Sequence, residues 1–203
     1  MNEKIAIFWW AFNPPTIWHT WVITQVLEES DISKIILSPD GHRLDKNYGI
    51  SIENKIEISK IYAESLRKQW LNVEMDSHFL EWKNNGPTTT VAVDKYFRSK
   101  YGDDIWHIFW SDTVSTMSDW VGNENKYIEK ILKKILFKRP WFPIQADKYE
   151  IENYIAIESK FLEDISSTMV RDMILKGKIA VADIIASWEI LQYIRENSLY
   201  TNN

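Results

Sequence analysis

Short apolar runs alternate with longer helical patterns along almost the whole chain, and this alternation constrains the fold more than any other feature. The strand-like runs are Lys4–Phe8, Lys34–Ser38, Val73–Asp76, Ile105–Phe109, Ile135–Lys138 and Tyr154–Ile157. The helical patterns cover about Thr16–Glu29, Ile52–Gln69, Thr90–Tyr101, Asp119–Ile131, Thr168–Leu175 and Ala182–Arg195. Strands that alternate with helices build βαβ units with right-handed crossovers. The pattern therefore predicts a mostly parallel, doubly wound sheet in a three-layer α/β/α, Rossmann-like fold.

Composition narrows the class of protein. The chain has 203 residues, which fits a single domain over residues 1–203, with C-terminal helices from about residue 166. The absence of cysteine excludes disulfides, a thiol nucleophile and a cysteine-ligated zinc. No run approaches the ~20 apolar residues of a membrane span, and the first apolar run is too short for a leader peptide. We therefore expect a cytoplasmic protein with no membrane partner. The net charge of −5 disfavours a nucleic-acid partner but allows a small anionic substrate.

A loop after the first predicted strand carries the first candidate site. It begins Phe12-Asn13-Pro14-Pro15-Thr16, and His19 follows three residues later. In parallel sheets the ligand crevice lies beyond the carboxyl ends of the strands, where this loop is expected. Residues three apart at the start of a helix share one face, so Thr16 and His19 can both face a phosphate held at the positive helix end. A lone histidine on a helix is usually structural, and that is the alternative interpretation of His19 taken alone.

A second candidate site lies about 150 residues further along, in the segment Ile165–Arg171. Three hydroxyl side chains begin a predicted helix there, and an arginine follows one turn later: Ser166, Ser167, Thr168 and Arg171. Such hydroxyls cap helices and also donate hydrogen bonds to phosphate. An arginine can donate two parallel hydrogen bonds to two phosphate oxygens. An ordinary capping box is the alternative interpretation of this segment taken alone.

Together the two segments resemble motifs of the nicotinate/nicotinamide mononucleotide adenylyltransferases. Thr16 and His19 match the flanking positions of [H/T]-x-G-H after an F-N-P-P lead-in, and Ile165–Arg171 matches I-S-S-T-x-x-R. The resemblance extends from Ile5 to Arg171 and through the closing helices. It implies adenylyl transfer from ATP to nicotinate or nicotinamide mononucleotide in NAD biosynthesis, with pyrophosphate released and Mg²⁺ delivered with ATP. The catalytic residues implied are His19, Thr16 and Arg171, and the further ATP or phosphate contacts are Phe12, Asn13, Ser166, Ser167 and Thr168.

Weaker matches extend the resemblance to the mononucleotide. Trp120 resembles the tryptophan that stacks on the nicotinate or nicotinamide ring, and Asp112 resembles the aspartate of a G-[SA]-D segment near the ribose or adenine. The other mononucleotide or ribose residues implied are Thr88, Thr89, Thr90 and Arg139, with Asp94 close to the threonines. A loose match adds His42, Arg43 and Lys46 as cations that could meet a phosphate. For each match alone, an ordinary loop residue is the alternative. No metal site made by the protein is expected, and a homo-oligomer is possible.

Tryptophan stands where the motifs of this family carry glycine. The aligned cases are Trp9, Trp10, Trp18, Trp110 and Trp141, while Trp21, Trp70, Trp82 and Trp188 lie in polar or turn-like sequence where glycine is more usual. The chain has 6 glycines and 11 tryptophans. Restoring these nine glycines would bring glycine close to its usual ~7%. We interpret the nine tryptophans as replacements of an enzyme's glycines. Glycine serves where backbone approaches a ligand, so indoles at positions 9, 10, 18 and 110 are expected to fill the nucleotide's space.

Three other functions are compatible with parts of the sequence. A related enzyme could transfer a nucleotide to pantetheine phosphate or glycerol phosphate, although Asn13-Pro14-Pro15 and the second motif favour a pyridine mononucleotide. A non-catalytic nucleotide-binding protein of the same fold would have no reason to keep Thr16, His19 and Arg171. The tryptophans could also stack on single-stranded nucleic acid, but the negative charge disfavours this.

Overall fold

A six-stranded parallel sheet forms the centre of the molecule. The computed structural model describes residues 3–41, 49–81, 88–123, 126–139, 141–161 and 165–201. The strands are β1 Ile5–Trp10, β2 Lys34–Pro39, β3 Val73–Met75, β4 Ile105–Trp110, β5 Lys134–Phe137 and β6 Tyr154–Ile157. Their order across the sheet is β3-β2-β1-β4-β5-β6, and every neighbouring pair is parallel. The doubly wound parallel sheet predicted from the sequence is confirmed.

Helices connect the strands, and most of them begin at a residue suited to capping. They are α1 Ile17–Glu29, α2 Ile52–Lys68, α3 His78–Glu81, α4 Thr90–Tyr101, α5 Ser167–Leu175 and α6 Trp188–Glu196. Four of the helices start at a Ser or Thr whose hydroxyl accepts a backbone N–H three residues later. The capping residues are Ser51, Thr89, Ser166 and Ser187. Because the cap satisfies an otherwise unpaired N–H, such a Ser or Thr favours a helix start at that point.

The core lies on both faces of the sheet because side chains alternate along each strand. In β1, Ala6 and Phe8 face one side and join a cluster with residues of α1, α2 and α6. Ile5 and Ile7 face the other side and pack with residues of α3 and α4. This alternation also decides where the tryptophans at the end of β1 point.

One predicted helix is wrong. The segment Asp119–Ile131 is not an α-helix; 3₁₀ turns cover Ser111–Asp119, and a single π turn covers Tyr127–Ile131. Between them Gly122 has a φ of 82° and Lys126 a φ of 58°. Left-handed residues interrupt a right-handed helix, so apolar periodicity alone was misleading here.

The last predicted helix begins later than expected. Instead of a helix from Ala182, a 3₁₀ turn covers Ile179–Asp183, and α6 begins at Trp188. Between the two, Ile185 forms an antiparallel bridge with Thr16. The backbone of this segment is therefore held against the first candidate site rather than continuing a helix.

Candidate active site

The first candidate site lies where the strand order reverses between β1 and β4. In doubly wound sheets the ligand crevice opens at this switch point, beyond the carboxyl ends of the strands. β1 ends at Trp10, β4 ends at Trp110, and α1 begins at Ile17 beside them. The loop of residues 11–16 therefore lies at the crevice, where the sequence placed it.

Thr16 and His19 form a local hydrogen-bonded unit at the start of α1. The Thr16 backbone N–H donates to Nδ1 of His19 over 3.0 Å, and the Thr16 hydroxyl lies 2.8 Å from the same nitrogen. Because a backbone N–H can only donate, Nδ1 accepts, and the ring proton is placed on Nε2. Nε2 is buried without a hydrogen-bond partner among the described residues. Burial lowers the pKa of His19 to about 3, so the ring is a neutral donor at physiological pH.

The second motif packs directly on the first. The Ser167 hydroxyl donates to the Pro14 carbonyl oxygen over 2.8 Å, and Nη1 of Arg171 donates to the Asn13 carbonyl oxygen over 2.7 Å. Nη2 of Arg171 also donates to Oγ1 of Thr168 over 3.1 Å. Residues more than 150 positions apart thus line one edge of the sheet, as expected if both contact the same phosphates.

Three further hydrogen bonds at this site had no signal in the sequence. The Tyr200 hydroxyl donates to Oδ1 of Asn13 over 2.5 Å, from beyond the end of α6. The Ile17 N–H donates to the Ile184 carbonyl oxygen over 3.1 Å, and the Ala186 N–H donates to the Pro15 carbonyl oxygen over 3.2 Å. The C-terminal segment therefore holds the first loop from outside. Phe12, buried in the same loop, packs against His19 with ring centroids 5.3 Å apart.

The threonines and Trp120 expected around the mononucleotide lie on adjoining elements. Thr89 caps α4, and its Oγ1 accepts the Ala92 N–H over 3.2 Å. A Cβ on Gly122 would lie only 3.7 Å from that hydroxyl, so the turn after Trp120 passes close to the start of α4. Nε1 of Trp120 donates to Oγ1 of Thr116 over 3.1 Å. Thr90 is buried, whereas Thr88 is half-buried beside the crevice-side end of α4.

Asp112 and Arg139 are brought together at the ends of β4 and β5. Nη1 of Arg139 lies 2.9 Å from Oδ2 of Asp112. The Arg139 N–H donates to the Ser111 hydroxyl over 3.0 Å, and that hydroxyl donates to the Phe142 carbonyl oxygen over 2.8 Å. Oδ1 of Asp112 is buried with no hydrogen-bond partner within the described ranges. The loosely matched cations His42, Arg43 and Lys46 lie outside the described residues.

Asp94 does not face the crevice, contrary to its placement beside the mononucleotide threonines. It is fully buried, and its carboxylate binds His107 Nε2 at 2.9 Å, Arg98 Nε at 2.7 Å and the Tyr127 hydroxyl at 2.6 Å. Burial alone would raise the pKa of Asp94, but the hydrogen bonds from His107, Tyr127 and Arg98 lower it to about 2. Asp94 therefore ties α4, β4 and the turn of Tyr127 together.

The chain is similar to named proteins, although no family model matches it. A protein of Caldicellulosiruptor bescii named "Probable nicotinate-nucleotide adenylyltransferase" is 30% identical over 189 residues, covering 86% of this chain and 88% of its own. The chain belongs to the nicotinate-nucleotide adenylyltransferase family. The Bacillus subtilis nicotinate-nucleotide adenylyltransferase is 24% identical over 205 residues and is covered over 98% of both chains.

Solved structures show the same fold. The Plasmodium falciparum nicotinic acid mononucleotide adenylyltransferase complexed with NaAD superimposes with a TM-score of 0.80, at 19% identity over 98% of each chain. The same enzyme complexed with APC gives a TM-score of 0.78 at 17% identity, again over 98% of each chain. The sheet order and the three-layer arrangement of this chain are thus those of the adenylyltransferase fold.

Three indoles pack together at the switch point of this adenylyltransferase family member. We call Trp10, Trp18 and Trp110 the indole cluster. Trp18 stacks on Trp110 with centroids 5.7 Å apart and planes 16° apart, and Trp10 meets Trp110 edge-on at 5.8 Å. Trp18 and Trp110 are buried. The cluster lies between the ends of β1 and β4 and the first turn of α1. That it fills the space of a nucleotide stays a prediction.

Two of the expected tryptophan settings are wrong. Trp9 does not join the indole cluster, because side chains alternate along β1 and its ring packs on the opposite face with the cluster around α4. Trp21 does not lie in a polar setting; it is on α1 and stacks on Phe161 with centroids 3.8 Å apart. Trp82 lies outside the described residues.

Proposed function

We propose that this site is built to transfer the adenylyl group of ATP to nicotinate mononucleotide, giving the adenine dinucleotide and pyrophosphate, and that it does so when glycine replaces the tryptophans at positions 9, 10, 18 and 110. The observation that carries this proposal is the docking of Ser167 and Arg171 on the Asn13–Pro14 backbone, next to the unpartnered Nε2 of His19. This edge of the sheet is the switch point at which nucleotides bind in this class of fold. The names of the relatives favour the acid form of the mononucleotide over the amide form.

The reaction needs only positioned groups and stabilised charge. An oxygen of the mononucleotide 5′-phosphate attacks the α-phosphorus of ATP, the bond from that phosphorus to the bridging oxygen breaks, and pyrophosphate leaves with the bond's electrons. His19 would donate a hydrogen bond from Nε2–H to an α-phosphate oxygen as charge develops there. Arg171, Thr16 and the hydroxyls of Ser166, Ser167 and Thr168 would bind phosphate oxygens, with Arg171 holding the departing pyrophosphate. Phe12 and Asn13 would shape this side of the ATP site.

Magnesium enters this proposal as part of the substrate MgATP. Within the described ranges, no group of three or more His, Asp or Glu side chains could hold a metal ion. Mg²⁺ keeps several waters and binds readily to nucleotide phosphates, so it needs few ligands from the protein. We propose that it bridges the phosphates and offsets their charge during transfer.

The mononucleotide would bind on the other side of the crevice. The Trp120 ring, tilted against Phe109 at 5.6 Å, would stack on the pyridine ring. The Asp112–Arg139 pair and the threonines Thr88, Thr89 and Thr90 would contact the ribose and its phosphate. His42, Arg43 and Lys46, which match the family only loosely, would contact a phosphate.

The test uses a four-site variant, Trp9→Gly, Trp10→Gly, Trp18→Gly and Trp110→Gly, which we call the opened variant. It is incubated with MgATP and, in separate arms, nicotinate mononucleotide, nicotinamide mononucleotide and phosphopantetheine. Pyrophosphate release and the mass of the product are measured. We expect the dinucleotide to form fastest with nicotinate mononucleotide. Product with phosphopantetheine alone, or ATP binding without transfer to any acceptor, would overturn the proposal.

No helix of the described parts of the chain is long and apolar enough to cross a bilayer. A cytoplasmic location, a homo-oligomeric state and the exclusion of nucleic acid as a partner stay predictions from the sequence.

A further inference from the structure

Trp70 occupies a backbone position that glycine prefers. It follows Gln69, the C-cap of α2, with a φ of 66°. Its N–H donates to the Arg67 carbonyl oxygen over 2.9 Å, and the next N–H, of Leu71, donates to the Leu66 carbonyl oxygen over 3.2 Å. These two bonds define a Schellman motif, whose left-handed position is usually glycine. The indole is 95% exposed, so its size brings no compensating burial.

Trp141 occupies a second such position in an unrelated part of the fold. The Phe142 N–H donates to the Arg139 carbonyl oxygen over 3.1 Å. Trp141, directly before Phe142, has a φ of 68°, in the left-handed region that glycine prefers. Its side chain is 86% exposed. Left-handed backbone also occurs at Lys126 and Glu150, so a positive φ alone does not show that glycine is preferred. A positive φ together with a large, exposed apolar side chain does.

The tryptophans near the ends of β1 and β4 have the opposite surroundings. Trp18 and Trp110 are buried against each other, and on the other face of the sheet Nε1 of Trp9 is buried without a hydrogen-bond partner in the described structure. An unpaired buried N–H costs free energy. The positions at the strand ends and the positions of Trp70 and Trp141 therefore share no environment that favours an indole. What they share is a preference for glycine. At positions 70 and 141 the backbone is left-handed, and at the strand ends the backbone is expected to lie close to a ligand.

Tryptophan stands at glycine-preferring positions in unrelated parts of the fold. This indicates that one codon is read in two ways, rather than that the indole was selected at each position. UGA is read as tryptophan in some genetic codes and as glycine in others. We propose that positions 9, 10, 18, 70, 110 and 141 are encoded by UGA and carry glycine in the chain that the native cell makes. In that chain the crevice between β1 and β4 is open to a nucleotide. This consequence and the assignment of glycine at positions 9, 10, 18 and 110 rest on the proposed function, whereas the argument from Trp70 and Trp141 involves no ligand.

Trp120 is the internal control, because its indole has partners of its own. It donates to Oγ1 of Thr116 and lies against Phe109. Reading the gene should therefore give UGA at the six positions and UGG at position 120. UGG at positions 70 and 141 would overturn the proposal. The same contrast is expected in peptides of the protein isolated from its native cells, by mass spectrometry: glycine at the six positions and tryptophan at 120. Tryptophan at the six would overturn it.

Two variants of Trp70 test, without reading the gene, whether the backbone at position 70 prefers glycine. Trp70→Gly should raise the Tm by ~2–4 °C more than Trp70→Ala, because only glycine relieves the left-handed strain. Equal Tm values for the two variants would overturn the assignment of glycine at position 70. Adenylyl transfer by the opened variant is measured separately, so a failure here and a failure of the proposed function are distinguishable.

Discussion

His19 is held as a neutral hydrogen-bond donor by features that only partly appear in the sequence. Its spacing from Thr16 predicted that both side chains share one face at the start of α1, and the structure joins them through Nδ1. The neutral state depends on burial between the rings of Phe8 and Phe12, which sequence spacing does not report. Asp94 illustrates the same limit, since its neighbours in sequence suggested a ligand while its burial shows a structural carboxylate.

Replacing His19 should lower turnover more than binding. In the opened variant, His19→Ala is expected to lower kcat by ~100–1,000-fold, the loss typical of one donor to a developing oxyanion. The KM for nicotinate mononucleotide should change little, because the interaction strengthens in the transition state. Steady-state kinetics with both substrates measure this. Thr20→Val is the matched control on the same helix, and its kcat should be unchanged. An unaltered kcat in His19→Ala would show that the residue has no catalytic role.

Burial of His19 should also make stability depend on pH. The pKa of His19 is lowered from 6.5 to about 3 in the folded chain. Between these values the unfolded chain binds a proton at His19 that the folded chain does not, so stability falls as the pH falls below 6.5. From pH 7 to pH 5 the contribution is about 2 kcal/mol. Urea unfolding of the chain and of His19→Gln at both pH values measures it, and the variant should lose less stability. Equal losses would contradict a buried neutral histidine.

At the scale of elements, α5 is the part of the site that the sequence located best. The hydroxyl cluster predicted its start, Ser166 caps it, and Ser167 and Arg171 reach the first loop. The segment Asp119–Ile131 was predicted least well, because its helix-like spacing is interrupted by the left-handed residues Gly122 and Lys126. Capping residues are local signals, whereas the path of a loop depends on contacts made elsewhere in the fold.

Arg171 should require its own geometry and not only its charge. Its guanidinium reaches both the Asn13 carbonyl oxygen and Oγ1 of Thr168, which one ammonium group cannot reproduce. In the opened variant, Arg171→Lys is expected to lower kcat/KM for ATP by ~10–100-fold, as for a lost charged hydrogen bond. Arg195→Lys on α6, where Arg195 lies 5.5 Å from the Trp188 ring, is the matched control and should leave kcat/KM unchanged. A lysine variant as active as the parent would show that Arg171 acts through charge alone.

At the scale of the molecule, the alternation of strands and helices predicted the sheet, and the switch-point rule predicted the edge at which the site lies. The contacts from Tyr200 and Ile184 that hold the first loop could not be predicted, because they join residues more than 150 positions apart without a pattern that pairs them. The central claim is that the crevice between β1 and β4 is a nucleotide site and that the indole cluster fills it.

ATP titration tests that claim most directly. Three chains are compared by calorimetry after circular dichroism has verified that each is folded: the chain as it stands, the opened variant, and a control with Trp70→Gly, at the exposed turn after α2. Removing the indoles at the switch point should create ATP binding in the opened variant alone, because the control changes only that turn. ATP binding of equal affinity by the chain as it stands and by the opened variant would contradict the account, since the indoles would then not occupy the site.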